Sequence, residues 1–159
     1  SCHSQLIRPF KSETDRYGDY SLSGEYAYDR PFLWGSKRTG PDLHRVGNYR
    51  TTDWHENHML NPPEIVPGSI MPAYKHQFTN LADIETAYAE AVTVKNAFHT
   101  PYGPEFKRTR AAWEAHKPKV LADAKAIADD MKNKDVKEAV ANGQVPEIVA
   151  LIAYLNSLK

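Results

Sequence analysis

Two residues near the start of the chain, Cys2 and His3, have the types and spacing for covalent haem chemistry. They match the last two positions of Cys-x-x-Cys-His, the motif of c-type haem attachment, in which the histidine also binds the iron. A free thiol that happens to precede a histidine is the simpler alternative for so short a match. Cys2 is the only cysteine in the 159 residues, which excludes an intramolecular disulfide and a zinc site with several cysteines.

Two further features could complete such a site. Met71 lies between residues 61 and 74, a proline-rich stretch in which no helical or alternating apolar pattern includes the methionine. A thioether in a stiff loop can be the second axial ligand of a haem, although a methionine tucked under a loop is also common. Gly40-Pro41 predicts a turn that fixes a backbone carbonyl, the group that orients a ligating imidazole through its other nitrogen.

Composition excludes several broad classes of function. The 20 acidic and 20 basic side chains cancel, so no global field favours nucleic acid or an anionic membrane. No run of about eighteen apolar residues occurs, so no transmembrane helix is expected within these residues. The length fits one domain with a core of its own.

The apolar patterns predict a mainly helical chain. A short turn is expected at 3–10 and an ordered loop at 11–34, with a hairpin at 24–28. The spacing of apolar residues and the capping signals predict helices at 53–60, 81–94, 106–131 (with a break or kink near Pro118), 134–142 and 145–159. The last helix has a strong apolar stripe formed by Ile148, Leu151, Ile152 and Leu155, and a bare part of that face is expected to favour a non-native dimer.

A different hypothesis uses the histidines. His55 and His58 are three residues apart on a predicted helix and share a face, but the zinc-protease motif needs a spacing of four. Exposed polar helix residues are the bland interpretation. A metal-dependent hydrolase or metal-binding domain remains an alternative, and its ligands would be His44, His55, His58 and His76.

Three longer stretches carry a resemblance to a known family: CHSQLIRPF at 2–10, WGSKRTGPDL at 34–43 and MPAY at 71–74. They resemble the mono-haem cytochrome c subunit (CcoO/FixO) of cbb3-type haem–copper oxidases. The resemblance covers nearly all of residues 2–79 and the last fifteen residues. It implies a class I cytochrome c-like fold in a single domain. Its parts would be a haem-binding part at 1–79, a helical insertion at 80–144 and the C-terminal helix at 145–159.

The resemblance also implies roles for individual residues. Cys2 would form a thioether bond to haem c, His3 would be the proximal iron ligand, Met71 the distal ligand, and Pro41 would offer its carbonyl to the histidine. A calcium ion is expected near the contact with the catalytic subunit, with no ligands assigned. Donor chemistry, rather than the motif itself, suggests four neighbours of the haem propionates or haem edge, namely Arg38, Tyr49, Arg50 and Trp54.

The function implied by the resemblance is electron transport in a respiratory chain, with no catalysis by this subunit itself. Electrons would pass from a di-haem subunit or a soluble cytochrome c to the haem b of the catalytic subunit, which reduces oxygen. The domain would be periplasmic and anchored by an N-terminal membrane helix, and a purely structural assembly role for 80–144 is the remaining alternative. The first cysteine of the motif and the anchoring helix are not among these residues. We therefore expect a soluble fragment with at most one thioether and with haem c incompletely attached or absent.

Overall fold

The computed structural model describes residues 2–28 and 38–159. The chain is mainly α, as predicted. The described residues form no strand; Leu81 and Pro146 make an isolated bridge. Short 3-10 helices occur at Ser23–Tyr26, Val46–Asn48 and Lys75–Phe78. The α-helices are α1 (Lys11–Tyr17), α2 (Thr52–Leu60), α3 (Pro62–Ile65), α4 (Ile84–Phe98), α5 (Arg110–Asp130), α6 (Lys134–Ala141) and α7 (Glu147–Ser157).

The chain divides into two compact units. The first unit contains residues 1–51 and 154–159, and the second contains residues 52–153. In the first unit, Tyr154 donates its hydroxyl hydrogen to Gln5 at 2.7 Å, and the Gly47 N–H donates to the Leu158 carbonyl at 2.7 Å. These bonds join the end of the chain to its beginning within that unit. The single-domain prediction, with its three parts, stays a prediction.

The predicted helical turn at 3–10 is wrong. Residues 2–10 have no helix, and α1 begins only at Lys11. The segment is not helical because its N–H groups donate to distant side chains rather than to its own carbonyls. The N–H groups of Leu6, Ile7 and Arg8 donate to the side chains of Asp42, Ser21 and Glu13, respectively.

The loop predicted at 11–34 and its hairpin are also wrong where they can be compared. Residues 11–17 form α1, and residues 23–26 form a 3-10 helix in place of a hairpin. The Leu22 N–H donates to the Glu25 side chain at 2.9 Å, a local bond that favours the helical turn. Residues 29–34 of that prediction lie outside the described residues.

The predicted helices of the second unit are present, with shifted ends. α4 begins at Ile84 because the Asp83 side chain accepts the Thr86 N–H at 3.0 Å and caps the helix. α5 runs through Pro118 as one helix, so the predicted break does not occur. α6 is followed by Gly143, whose φ of 78° places it in the left-handed region that ends helices.

One apolar cluster forms the main core of the second unit. Its buried members come chiefly from α5, α6 and α7, and they are Phe78, Ala124, Ala128, Met131, Val136, Val140, Val145, Ile148, Val149 and Ile152. In α7, Ile148, Ile152 and Leu155 are all buried, so the bare stripe expected from the sequence is not found at these positions. A smaller cluster contains Tyr88, Val92 and Trp113. Among residues 2–28 and 38–159, no helix is both long and apolar enough to cross a membrane.

Candidate functional site

The His3 ring is oriented by a backbone carbonyl in the first unit. Its Nδ1 lies 2.7 Å from the carbonyl oxygen of Pro41. A carbonyl can only accept a hydrogen bond, so Nδ1 carries the proton in this contact. The lone pair of Nε2 is then available to a metal, and this arrangement is typical of a ligating histidine.

Gly40 makes this arrangement sterically feasible. A Cβ atom at this position would lie 2.4 Å from Cε1 and 2.8 Å from Nδ1 of His3. The backbone therefore approaches the imidazole more closely than any other residue would permit. The Gly40 N–H also donates to the carbonyl of Cys2 at 2.6 Å, and the Cys2 thiol is exposed and free.

The Asp42 carboxylate connects the turn to the segment that carries His3. The residue is 1% exposed. Its Oδ2 accepts the Ser4 hydroxyl at 2.6 Å and the Leu6 N–H at 2.7 Å, while Oδ1 accepts the His44 N–H at 2.9 Å. The Leu43 N–H in turn donates to the Ser4 carbonyl at 2.9 Å. Hydrogen bonds between residues 4–6 and residues 42–43 therefore hold His3 next to Pro41.

Arg38 and Glu13 complete a buried ionic network around the same segment. Arg38 donates from Nη2 to Glu13 at 2.9 Å and to the Leu6 carbonyl at 2.5 Å, and from Nε to Ser4 at 2.5 Å. Burial alone would raise the pKa of Glu13, but hydrogen bonds from Arg38 and Arg8 outweigh it and lower that pKa. Arg38 thus holds the segment in place, and its predicted propionate contact stays a prediction.

Met71 lies in the second unit, in the loop after α3. It is half-buried, its N–H donates to the Ser69 hydroxyl at 3.2 Å, and its neighbour Ile70 is 80% exposed. The other two methionines belong to the main core, since Met131 is buried in it and Met59 packs against it. Met71 is in neither apolar cluster of the described residues. Core packing therefore does not account for this methionine.

A family model described as "cytochrome C oxidase, mono-heme subunit/FixO" matches residues 1–159, the whole chain. The chain belongs to this family. The family is that of the mono-haem subunit of cytochrome c oxidases, as the resemblance in the sequence predicted. A search of curated proteins gave no match.

The family description implies a haem, and the residues of this FixO-type subunit fit one. Gly40 leaves room for the imidazole, and the Pro41 carbonyl accepts a hydrogen bond from Nδ1 of His3. The exposed Cys2 thiol can form a thioether bond, and Met71 offers a second soft donor outside the core. These are types of donor that c-type haem sites use, and the assignment of each residue to the haem stays a prediction.

The remaining predicted neighbours of the haem fall into two groups. Tyr49 and Arg50, in the first unit, contact each other, with the guanidinium carbon 5.4 Å from the ring centroid of Tyr49. Trp54, on α2 of the second unit, stacks on His58 with centroids 4.5 Å apart. The structure thus brings Cys2 and Arg38 together with His3 and Pro41, and it describes Trp54 and Met71 in the other unit. Their roles at the haem stay predictions.

The four histidines of the alternative hypothesis, His44, His55, His58 and His76, form no metal site among the residues that the structure describes. Nε2 of His44 lies 2.5 Å from the Glu25 carboxylate. Burial raises the pKa of Glu25, but hydrogen bonds from Leu22, His44 and Arg45 outweigh it and lower that pKa to about 2. No group of three or more His, Cys, Asp or Glu side chains in residues 2–28 and 38–159 could hold a metal ion. The metal-hydrolase alternative therefore gains no support from these residues, and the calcium site stays a prediction.

Sequence reasoning missed Asp42, Glu13 and Ser4. A signal existed for Asp42, because an aspartate after Gly-Pro commonly accepts the N–H two residues on, as it does from His44. Its bonds to Ser4 and Leu6, 38 and 36 residues away, have no local signal. The same holds for Glu13, whose pairing with Arg38 spans 25 residues.

Proposed function

We propose that this chain is the electron-transfer haem c domain of a cbb3-type terminal oxidase. It would accept electrons from a di-haem subunit or a soluble cytochrome c and deliver them to the haem b of the catalytic subunit. The observation that carries the proposal is the hydrogen bond of 2.7 Å between His3 Nδ1 and the Pro41 carbonyl. Membership of the mono-haem subunit family supports it.

Each donor has a distinct role in this proposal. When bound, the haem would supply a one-electron redox centre. His3 offers Nε2 to the iron, and the Pro41 carbonyl fixes the ring and raises the basicity of the ligand. Cys2 anchors the group covalently, and the Met71 thioether raises the reduction potential. The chain itself would make and break no substrate bonds.

The location and partners belong to the same proposal. We expect the domain on the periplasmic side of the inner membrane, anchored through an N-terminal helix, in contact with the catalytic and di-haem subunits. Calcium at the contact with the catalytic subunit is a further part of it. Family membership supports a place for the chain in an oxidase complex. The location, the identity of the partner subunits and the calcium ion are what the resemblance in the sequence implies.

The first test is the absorption spectrum of the full-length subunit, produced together with the c-type haem attachment machinery. We expect a Soret band that stays with the denatured polypeptide, because a thioether bond survives unfolding. A His3→Ala variant should keep covalent haem but lose the normal axial ligation. A full-length subunit without a Soret band would contradict the proposal.

The second test concerns Met71. Met71→Ala in the full-length, haem-loaded subunit should lower the potential by on the order of 100 mV, within the range of about 0.8 V that axial ligands set. Oxidase turnover should slow as well. Met131→Leu is the matched control, because it changes a buried core methionine at nearly constant volume. An unchanged potential in Met71→Ala would exclude Met71 as the ligand.

A further inference from the structure

Glu56 is a buried carboxylate in the second unit. It is 2% exposed, and its two side-chain oxygens accept the N–H groups of Lys132 and Asn133, each at 2.7 Å. A buried carboxylate destabilises a fold unless hydrogen bonds compensate its charge. Both bonds come from residues 76 and 77 positions further along the chain, so Glu56 joins two distant segments.

One of these segments leads into α6. Asn133 is the N-cap of that helix, and its side chain accepts the Val136 N–H at 3.0 Å. The start of a helix carries partial positive charge, which favours a carboxylate there. Met131, immediately before the segment, is buried in the main core. Glu56 therefore binds a firmly packed part of the helical region 80–144.

The other segment is α2, which carries Glu56 and leads into the loop with Met71. The Met59 carbonyl, near the end of α2, accepts the Tyr74 N–H at 2.8 Å and so closes the loop. Phe78, shortly after Tyr74, is buried in the main core. Met71 itself bonds within the loop, to Ser69. The position of Met71 thus depends on where the two ends of its loop are held.

A second contact joins the same two segments at the surface. Lys132 and Asp53 form an ion pair at 2.7 Å, with side chains 73% and 44% exposed. Exposed ion pairs contribute little to stability because water and salt screen them. The molecule therefore contains a buried link and an exposed link between the same elements.

We propose that Glu56 is a positioning residue for Met71. It fixes α2 to the connection between α5 and α6, and through Met59 and Tyr74 it fixes the loop that offers the thioether. The helical region 80–144 would then serve the ligand site without contributing a ligand. The proposal rests on the proposed function, because it takes Met71 to be the distal ligand.

The experiment compares Glu56→Gln with Asp53→Asn in the full-length, haem-loaded subunit. Glu56→Gln keeps the side-chain shape but removes the charge and one of the two acceptor oxygens. We expect it to weaken the far-red absorption band of the methionine-to-iron bond and to lower the potential toward that of Met71→Ala. Asp53→Asn should leave both unchanged, although it breaks the link between the same segments at the surface.

A readout independent of the haem is amide hydrogen exchange in the haem-free chain. Loss of a hydrogen bond to a charged group should speed exchange of the Tyr74 amide by about tenfold or more in Glu56→Gln. The amides of Tyr88 and Val92, in the separate small cluster, should be unaffected. Glu56→Asp keeps the charge, and its Tyr74 exchange rate should lie between those of the wild type and Glu56→Gln. It replaces Glu56→Gln in the experiment if that variant does not fold.

The outcomes separate positioning from simple stabilisation. If Glu56→Gln lowers the melting temperature but leaves the far-red band, the potential and the Tyr74 exchange as in the wild type, Glu56 is structural and the proposal is overturned. If Met71→Ala itself changes neither band nor potential, the ligand assignment fails first. In that case accelerated Tyr74 exchange would still show that Glu56 holds the loop, and only its link to the haem would be lost.

Discussion

The two proposed axial ligands are held by different kinds of interaction. Around His3, the buried groups are polar and charged, with Asp42, Glu13 and Arg38 bonded to one another or to the same backbone segment. Around the Met71 loop, support comes from an apolar core of buried residues and from one buried carboxylate, Glu56. The first unit thus holds its proposed ligand by directed bonds, whereas in the second unit the segments on either side of the Met71 loop are held mainly by packing.

This difference has consequences for how each unit responds to change. The stability of a buried polar network depends on every partner. A buried group that loses its hydrogen bond is still removed from water, so its desolvation is no longer compensated. An apolar core loses stability in proportion to the surface and volume that are removed. We therefore expect the stability of the first unit around His3 to depend on side-chain charge, and the stability of the second unit to depend on side-chain size.

The largest effect is expected for Asp42→Asn. The change keeps the shape but removes the charge that faces Arg38 and one acceptor of a buried network, so unfolding should be easier by about 3–5 kcal/mol. Denaturant unfolding measures this, and hydrogen exchange should place the loss at Leu6 and His44. Asp15→Asn is the control, because Asp15 pairs with Lys11 at the exposed surface. Equal effects of the two changes would contradict the importance of the buried network.

Ile148→Ala tests the other side of the comparison. Ile148 is 0% exposed in the main core, and truncation of such a side chain costs about 2–5 kcal/mol. The loss should scale with the volume removed, so Ile148→Val should cost only about 0.5–1.5 kcal/mol. Leu81→Ala, at a position that is 47% exposed, should have a much smaller effect. Equal losses for Ile148→Val and Ile148→Ala would contradict a dependence of the second unit on side-chain size.

Gly40→Ala should have a smaller effect on stability and a specific effect on His3. The new methyl group would lie 2.4 Å from Cε1, so the ring must move away from the Pro41 carbonyl, at a cost of about 1–3 kcal/mol. NMR of the imidazole should report loss of the Nδ1 hydrogen bond. Gly24→Ala is the matched control, because a Cβ there meets no atom within 4 Å. An unchanged His3 resonance in Gly40→Ala would contradict the close approach.

The comparison also explains what the sequence could predict. The helices of the second unit were predicted because apolar periodicity and capping residues such as Asp83 are local signals. The path of residues 3–10 was mispredicted because it depends on bonds to Asp42, Ser21 and Glu13, which no local pattern reveals. His3, Pro41 and Met71 could be named from motifs, whereas Asp42 and Glu56 required the long-range contacts of the fold.

The smallest effect is a pH dependence that arises from Glu25 in the first unit. Hydrogen bonds from Leu22, His44 and Arg45 outweigh burial and lower the pKa of Glu25 to about 2. A carboxyl whose pKa is lowered by folding stabilises the folded state above its unfolded pKa, about 4.3. That contribution should be lost as the pH falls from about 4.3 to about 2. Because the side chain is 30% exposed, its size should be on the order of 1–2 kcal/mol after screening.

Glu25→Gln provides the measurement, because it removes the titrating group while retaining an acceptor for the same donors. The difference in unfolding free energy between wild type and Glu25→Gln should be largest near neutral pH and should shrink toward zero near pH 2, as the wild-type carboxyl becomes protonated. Glu85→Gln is the control, since Glu85 pairs with Arg110 through side chains that are 57% and 68% exposed, in the second unit. If both variants gave the same pH profile, acid sensitivity would not distinguish the polar unit from the apolar one.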